Sequence, residues 1–161
     1  MIKTKNQLLT FILTVSVIVL ACGGSGGGGD DDPMLTDEQI RLRALAGTTG
    51  ITWTATSITF DGAPADGFDN FSLTIRGTDN TAKTYTSIDG DPLFDASGTW
   101  AFNGTNINQL IFDGESDNVY SISNIDADAT PATLTLTVNF TNPGSSAAGT
   151  NGTYVLNMQA Q

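Results

Sequence analysis

Residues 133–140 constrain the fold most, because they alternate without interruption. Leu134, Leu136, Val138 and Phe140 fall on one side, and Thr133, Thr135, Thr137 and Asn139 on the other. In an extended chain a period of two sends successive side chains to opposite faces. Such a strand needs one dry face and one wet face. Its backbone N–H and C=O groups need partners on both edges.

The same period recurs along the chain. Ile51, Trp53 and Ala55 alternate with Thr52, Thr54 and Thr56; the phase then slips before Ile58 and Phe60, which predicts a bulge near Thr56–Ser57. Phe71, Leu73 and Ile75 form a further run, Thr84-Tyr85-Thr86 a weaker one, and Trp100 and Phe102 lead into Asn103-Gly104. Asn-Gly between two strand-like runs signals a hairpin with a two-residue turn. That register sets Phe102 opposite Thr105 and Trp100 opposite Ile107, and puts Ile111 on the same face. Leu110 and Phe112 then fall on the other face unless a bulge intervenes, which predicts a strand covered on both sides. Tyr120 and Ile122 follow, and Tyr154, Leu156 and Met158 close the chain.

Turns separate these runs at Asp61-Gly62, Asp89-Gly90-Asp91-Pro92, Asp113-Gly114 and Asn142-Pro143-Gly144. No second helical pattern supplies βαβ crossovers. The expected fold class is therefore all-β: an antiparallel up-and-down barrel of about eight strands over residues 48–161, with a β-sandwich as the alternative. One short helix is expected over 34–47. Thr36 caps it, Gln39 completes a capping box, Asp37 and Glu38 sit in the first turn with Arg41 and Arg43 later, and Gly47 stops it.

The first residues read as an address. Lys3 and Lys5 precede an apolar stretch, 8–20, that is too short to span a bilayer comfortably and suits a secretory leader over 1–21. A transmembrane anchor is the alternative. Val19-Leu20-Ala21-Cys22 resembles the lipobox of bacterial lipoproteins. The resemblance implies cleavage before Cys22 and lipid attached to its thiol and new amine. Residues 22–33 then form a Gly/Asp-rich tether. By the same resemblance, Gly23 in place of Asp favours the outer membrane over retention. Asp30-Asp31-Asp32 resembles the surface-export signal of bacteroidete-type lipoproteins, or serves as a solvated linker. The expected location is the outer membrane or cell surface, through the lipid. With a single cysteine, no intrachain disulfide can form.

The stretches Gly50-Ile-Thr-Trp53, Ser97-Gly-Thr-Trp100-Ala-Phe102-Asn-Gly104 and Gly152-Thr-Tyr154-Val-Leu156 resemble small lipocalin-like lipoproteins of bacteroidete type, over residues 48–161. The resemblance implies a barrel with a mouth. Where lipocalins usually show Gly-x-Trp and a late Arg, this chain has Gly-x-x-Trp and no Arg after Arg76.

All 17 acids follow Cys22, and only four of the six bases do. Such a surface repels nucleic acid and anionic head groups, so membrane attachment is expected through Cys22 alone. The chain has no His, which excludes Ser-His-carboxylate catalysis, His-ligated zinc and His acid–base chemistry. No enzymatic activity and no cofactor are expected. Asp113, Glu115 and Asp117 offer alternating oxygens suited to calcium, as do Asp89, Asp91 and Asp95, and Asp126 and Asp128; turn geometry accounts for the same residues without a metal.

Trp53, Tyr85, Trp100, Phe102 and Tyr120 are candidates for lining a ligand pocket, or for filling a small barrel's own interior. The expected function is a lipid-anchored, extracytoplasmic, non-enzymatic module that binds a small apolar molecule or a glycan. The alternative is a structural or interaction subunit of an envelope or surface assembly, hinted at by the two-sided strand at Leu110 and Phe112.

Overall fold

The computed structural model describes residues 34–141 and 151–161. The leader, Cys22, the tether and the Asn142-Pro143-Gly144 turn lie outside the described residues.

Among the described residues one helix, α1 (Asp37–Ala46), precedes nine strands: β1 (Ile51–Phe60), β2 (Ala63–Pro64), β3 (Ser72–Arg76), β4 (Thr84–Ile88), β5 (Ser97–Asn103), β6 (Asn106–Phe112), β7 (Val119–Asp126), β8 (Thr133–Phe140) and β9 (Gly152–Ala160). Every strand pairs antiparallel with its chain neighbour, except that β2 is a two-residue flap on β1 and β3 pairs with β1 directly. β9 returns to pair with β1 from Trp53↔Ala160 to Phe60↔Tyr154, which closes an eight-stranded up-and-down barrel. Closure leaves no long strand edge unpaired. The expected barrel is the observed one.

Period two dictates what faces inward. Leu134, Leu136 and Val138 are 0–1 % exposed and Phe140 6 %. Their polar neighbours line the outer wall, where hydroxyls and amides bond across strands: Thr52 to Thr74 (2.9 Å), Thr135 to Asn157 (3.0 Å), Asn157 to Ser57 (3.0 Å) and Ser123 to Thr137 (2.8 Å). The expected bulge lies between Ala55 and Ser57.

The β5–β6 hairpin departs from the expected register. Asn103 pairs with Asn106, so Gly104 and Thr105 make the turn; beyond a shift, Phe102 pairs with Leu110 and Trp100 with Phe112. The extra residues on β6 bring Leu110 and Phe112 inward beside Phe102 and Trp100, and all four are buried. Ile107 and Ile111 are only half-buried. The strand is therefore not covered on both faces, and that hint of a docking role falls away.

The helix seals the end at which β1 begins. Thr36 and Gln39 form the capping box, N–H to side chain in both directions at 2.8 and 3.2 Å. Leu42, Leu45 and Ala46 are buried. The Trp53 indole N–H donates to the Leu45 carbonyl at 2.9 Å, so the first-strand Trp is tied to the helix instead of lying under an Arg. Gly50 (φ 113°) explains the glycine ahead of that Trp: a Cβ there would sit 2.8 Å from the Arg76 stem.

Two seams of the barrel carry the same clamp. Phe60-Asp61-Gly62 ends β1 and Phe112-Asp113-Gly114 ends β6; both residues of each Asp-Gly turn have positive φ. Asp61 Oδ1 accepts from Thr153 N (2.9 Å), and Asp61 N donates to Thr153 O (2.8 Å). Asp113 Oδ1 accepts from Thr99 N (2.7 Å), and Asp113 N donates to Thr99 O (2.8 Å). Each clamped Thr follows a glycine whose Cβ position is already taken by a neighbouring side chain. A Cβ on Gly98 would lie 1.9 Å from Asp113 Oδ1, and one on Gly152 2.5 Å from the Phe60 ring. Phe112 faces Trp100 and Phe60 faces Tyr154 in register. The barrel is thus built as two four-stranded halves, each ending in Gly-Thr-aromatic and each clamped by the Phe-Asp-Gly that closes the other half's first strand.

Candidate functional site

Opposite the helix, the barrel mouth is occupied by a loop. Asp89 (φ 50°) turns the chain out of β4, Leu93 N and Phe94 N donate to Gly90 O, and Ser87 N donates to Ala96 O. This short arc drops Leu93 and Phe94 into the mouth, each 5 % exposed. The Phe94 ring meets those of Phe71, Tyr85, Phe112 and Tyr120, with centroids 4.9–6.1 Å apart. Tyr120 donates its hydroxyl to the Leu93 carbonyl at 2.5 Å, which pins the loop from beneath.

Two grooves flank this plug. The first, about 300 Å³, runs between the plug loop and the β6–β7 loop; Asp91, Asp95, Asp113 and Glu115 border it, with Tyr85, Phe94 and Tyr120 among its walls. The second, about 370 Å³, lies under the β2 flap between Phe60, Phe68 and Tyr154, with Pro64, Pro92 and Asp66 around it. Both volumes are of the order that small ligands occupy.

The charges divide sharply. The loops at this end carry Asp61, Asp66 and Asp69, then Asp89, Asp91 and Asp95, then Asp113, Glu115 and Asp117, and no Lys or Arg. Arg41, Arg43, Arg76 and Lys83 all lie at the helix end.

Burial pushes the Tyr85 hydroxyl well above its ordinary range, and its hydrogen bond to Asp113 adds to that. Tyr120 is raised by burial first, then by Tyr85, Glu115 and Asp113. Both phenols are therefore proton donors at neutral pH, and Tyr85 donates to Asp113 Oδ2 at 2.5 Å.

The residues expected to line a pocket lie largely in the packed interior. Trp53 is fully buried; Trp100 donates its indole N–H to Arg76 O at 3.0 Å and packs edge-on against Phe102. Of the five, Tyr85 and Tyr120 line the first groove.

Three of the candidate acids hold the protein's own groups. Asp113 holds Thr99 N and the Tyr85 hydroxyl, Glu115 accepts from Asn118 Nδ2 at 3.3 Å, and Asp126 Oδ1 accepts from Asp128 N and Ala129 N. No three carboxylates converge as a metal site among the described residues.

Phe60, Phe68, Phe94 and Tyr154 line the grooves but are not among the pocket candidates that the sequence offers. The repeated Phe-Asp-Gly and the repeated Gly-Thr-aromatic would have pointed to Phe60 and Tyr154. Phe68 and Phe94 sit alone in polar loops and offer no periodic signal. Comparison with known protein families, with characterised proteins and with solved structures gives no match.

Proposed function

We propose that this chain is a lipid-anchored, extracytoplasmic, non-enzymatic binding module that takes a small ligand at the rim of its barrel mouth, not within the barrel. The observation that carries the reading is the plug. Phe94 and Leu93 fill the mouth with the protein's own side chains, and concave, aromatic-walled space remains on either side of them. Lipid on Cys22 and an outer-membrane or surface location belong to the proposal through the lipobox resemblance.

The full lipidated chain, isotope-labelled in detergent micelles, is to be titrated with a panel of small apolar molecules and glycans. Saturable chemical-shift changes in residues 61–71, 89–96 and 113–118 are expected. Changes confined to α1 or the outer wall would overturn the mouth reading.

A second reading, as an interaction subunit of an envelope or surface assembly, is favoured by one feature at the other end. A groove of about 490 Å³ runs between α1 and the β6 and β7 strands, where Ile40 is 53 % exposed and Ile107 and Ile125 are half-buried. Crosslinking in intact cells through a photoreactive residue at Ile40 would capture one discrete partner if this reading holds. Absence of any adduct would count against it.

A further inference from the structure

The groove under the β2 flap is lined by a tyrosine whose hydroxyl has no protein partner among the described residues. Tyr154 is only 4 % exposed, its ring held against Phe60 (4.8 Å) and Phe68 (6.2 Å). Its hydroxyl bonds to no atom among the described residues, yet the buried, partnerless side-chain atom among them is Thr54 Oγ1, not this one. The Tyr154 oxygen is therefore open to the groove that the residue lines. The protein thus holds the ring in place while the oxygen meets the groove, where a ligand group can take the place of water.

Two further observations define what would satisfy it. Asp66 is exposed at the edge of the same groove. The loops around it hold carboxylates without a single Lys or Arg, so the local field attracts cations and repels anions. The walls, Phe60, Phe68, Pro64 and Pro92, accept an apolar body, and aromatic ring faces attract an ammonium.

We infer that this groove binds a small organic ammonium, its apolar body against Phe60 and Phe68 and its N–H groups shared between the Tyr154 oxygen and the Asp66 carboxylate. The inference rests on the mouth-binding reading and names its ligand class. An anion is repelled by the rim. A purely apolar ligand gains nothing from the phenol or the carboxylate. Burial, and after it Asp61, raises the Tyr154 hydroxyl above its ordinary range, so it stays a neutral phenol whose lone pairs accept an N–H.

The test uses three probes with one body and three charges: 2-phenylethylamine, 2-phenylethanol and phenylacetate. Each is titrated into the full lipidated chain in neutral detergent micelles, followed by calorimetry and chemical shift. The amine is expected to bind saturably, the alcohol about tenfold more weakly, and the acid not at all. Raising salt should weaken the amine alone.

D66N changes an exposed side chain with no demand on folding and should weaken the amine about five- to tenfold while leaving the alcohol unchanged. Y154F keeps the ring and should weaken the amine by a smaller factor, about threefold. Equal affinity of amine and alcohol, or an amine affinity unmoved by D66N, would overturn the inference. If neutral probes or glycans still shift residues 61–71, the mouth reading survives and only the ligand class fails. If no probe and no glycan shifts the mouth, both fail.

Discussion

The two ends of the barrel are closed by different means. At the helix end the seal is built from neighbours in the chain: a capped helix buries Leu45 and Ala46, and the Leu45 carbonyl meets the Trp53 indole near the start of the next element. Acids and bases mix there, with Arg41 bonded to Asn108 and Gln39 to Asp79. At the mouth the seal is an irregular loop between β4 and β5, whose Phe94 touches rings from β4, β6 and β7 and the Phe71 ring just before β3. Around it the charge is wholly acidic, and two grooves remain. The fold needs its ends closed, but it does not need one end uniformly acidic. The excess at the mouth is where function is sought.

Phe94→Ala would strain this comparison most. If the plug is core, the loss is about 3–5 kcal/mol, read by urea unfolding, and the mouth should take up Nile red. A loss below about 1 kcal/mol would make the plug a surface ornament and end the comparison.

Leu45→Ala is the matching change at the helix end. It is expected to cost about 2–4 kcal/mol without dye uptake at the mouth. Dye uptake in both variants would mean that the two ends do not seal independently.

Gly98→Ala probes the clamp nearest the plug. Its Cβ would displace the Asp113 carboxylate, and with it the bonds to Thr99 N and the Tyr85 hydroxyl, for about 1–3 kcal/mol. With Asp113→Ala in the background the second loss should shrink, as a double-mutant cycle will show.

The smallest effect is pH-dependent. Tyr85 and Tyr120 are raised in the folded chain above an ordinary value of 10.0, chiefly by burial. On alkalinisation the unfolded chain therefore gives up its phenolic protons first. The stability from these groups is complete below about pH 10 and declines above it. Tyr85→Phe should flatten the decline above about pH 10, measured as unfolding midpoints across that range. A wild-type profile as flat as the variant's would show that Tyr85 ionises freely and that the mouth is wet.

Particular residues show what was legible before the structure. The runs from Ile51 to Phe60 and from Thr133 to Phe140 announced strand, face and even the bulge at Ala55–Ser57, and Thr36 with Gln39 announced the helix start. The Asp-Gly pairs announced turns but not that two of those Asp residues reach back to clamp a neighbouring strand. The aromatics chosen as pocket candidates were the most periodic ones, and periodicity selects for the core. Residues lining the grooves, such as Phe68 and Pro92, are isolated in loops.

The sequence by itself determined the class of the barrel, because strand, turn and cap signals act within a few residues and need only local sterics and side-chain alternation. The tertiary structure alone decided the β5–β6 register, the closure of β9 on β1, the entry of Phe94 into the mouth and the place of Tyr154 in its groove. Each depends on groups far apart in the chain, such as Phe94 against Phe71 and Tyr120 or Asp61 against Thr153, whose meeting is set by the packing of the whole interior and not by any local pattern.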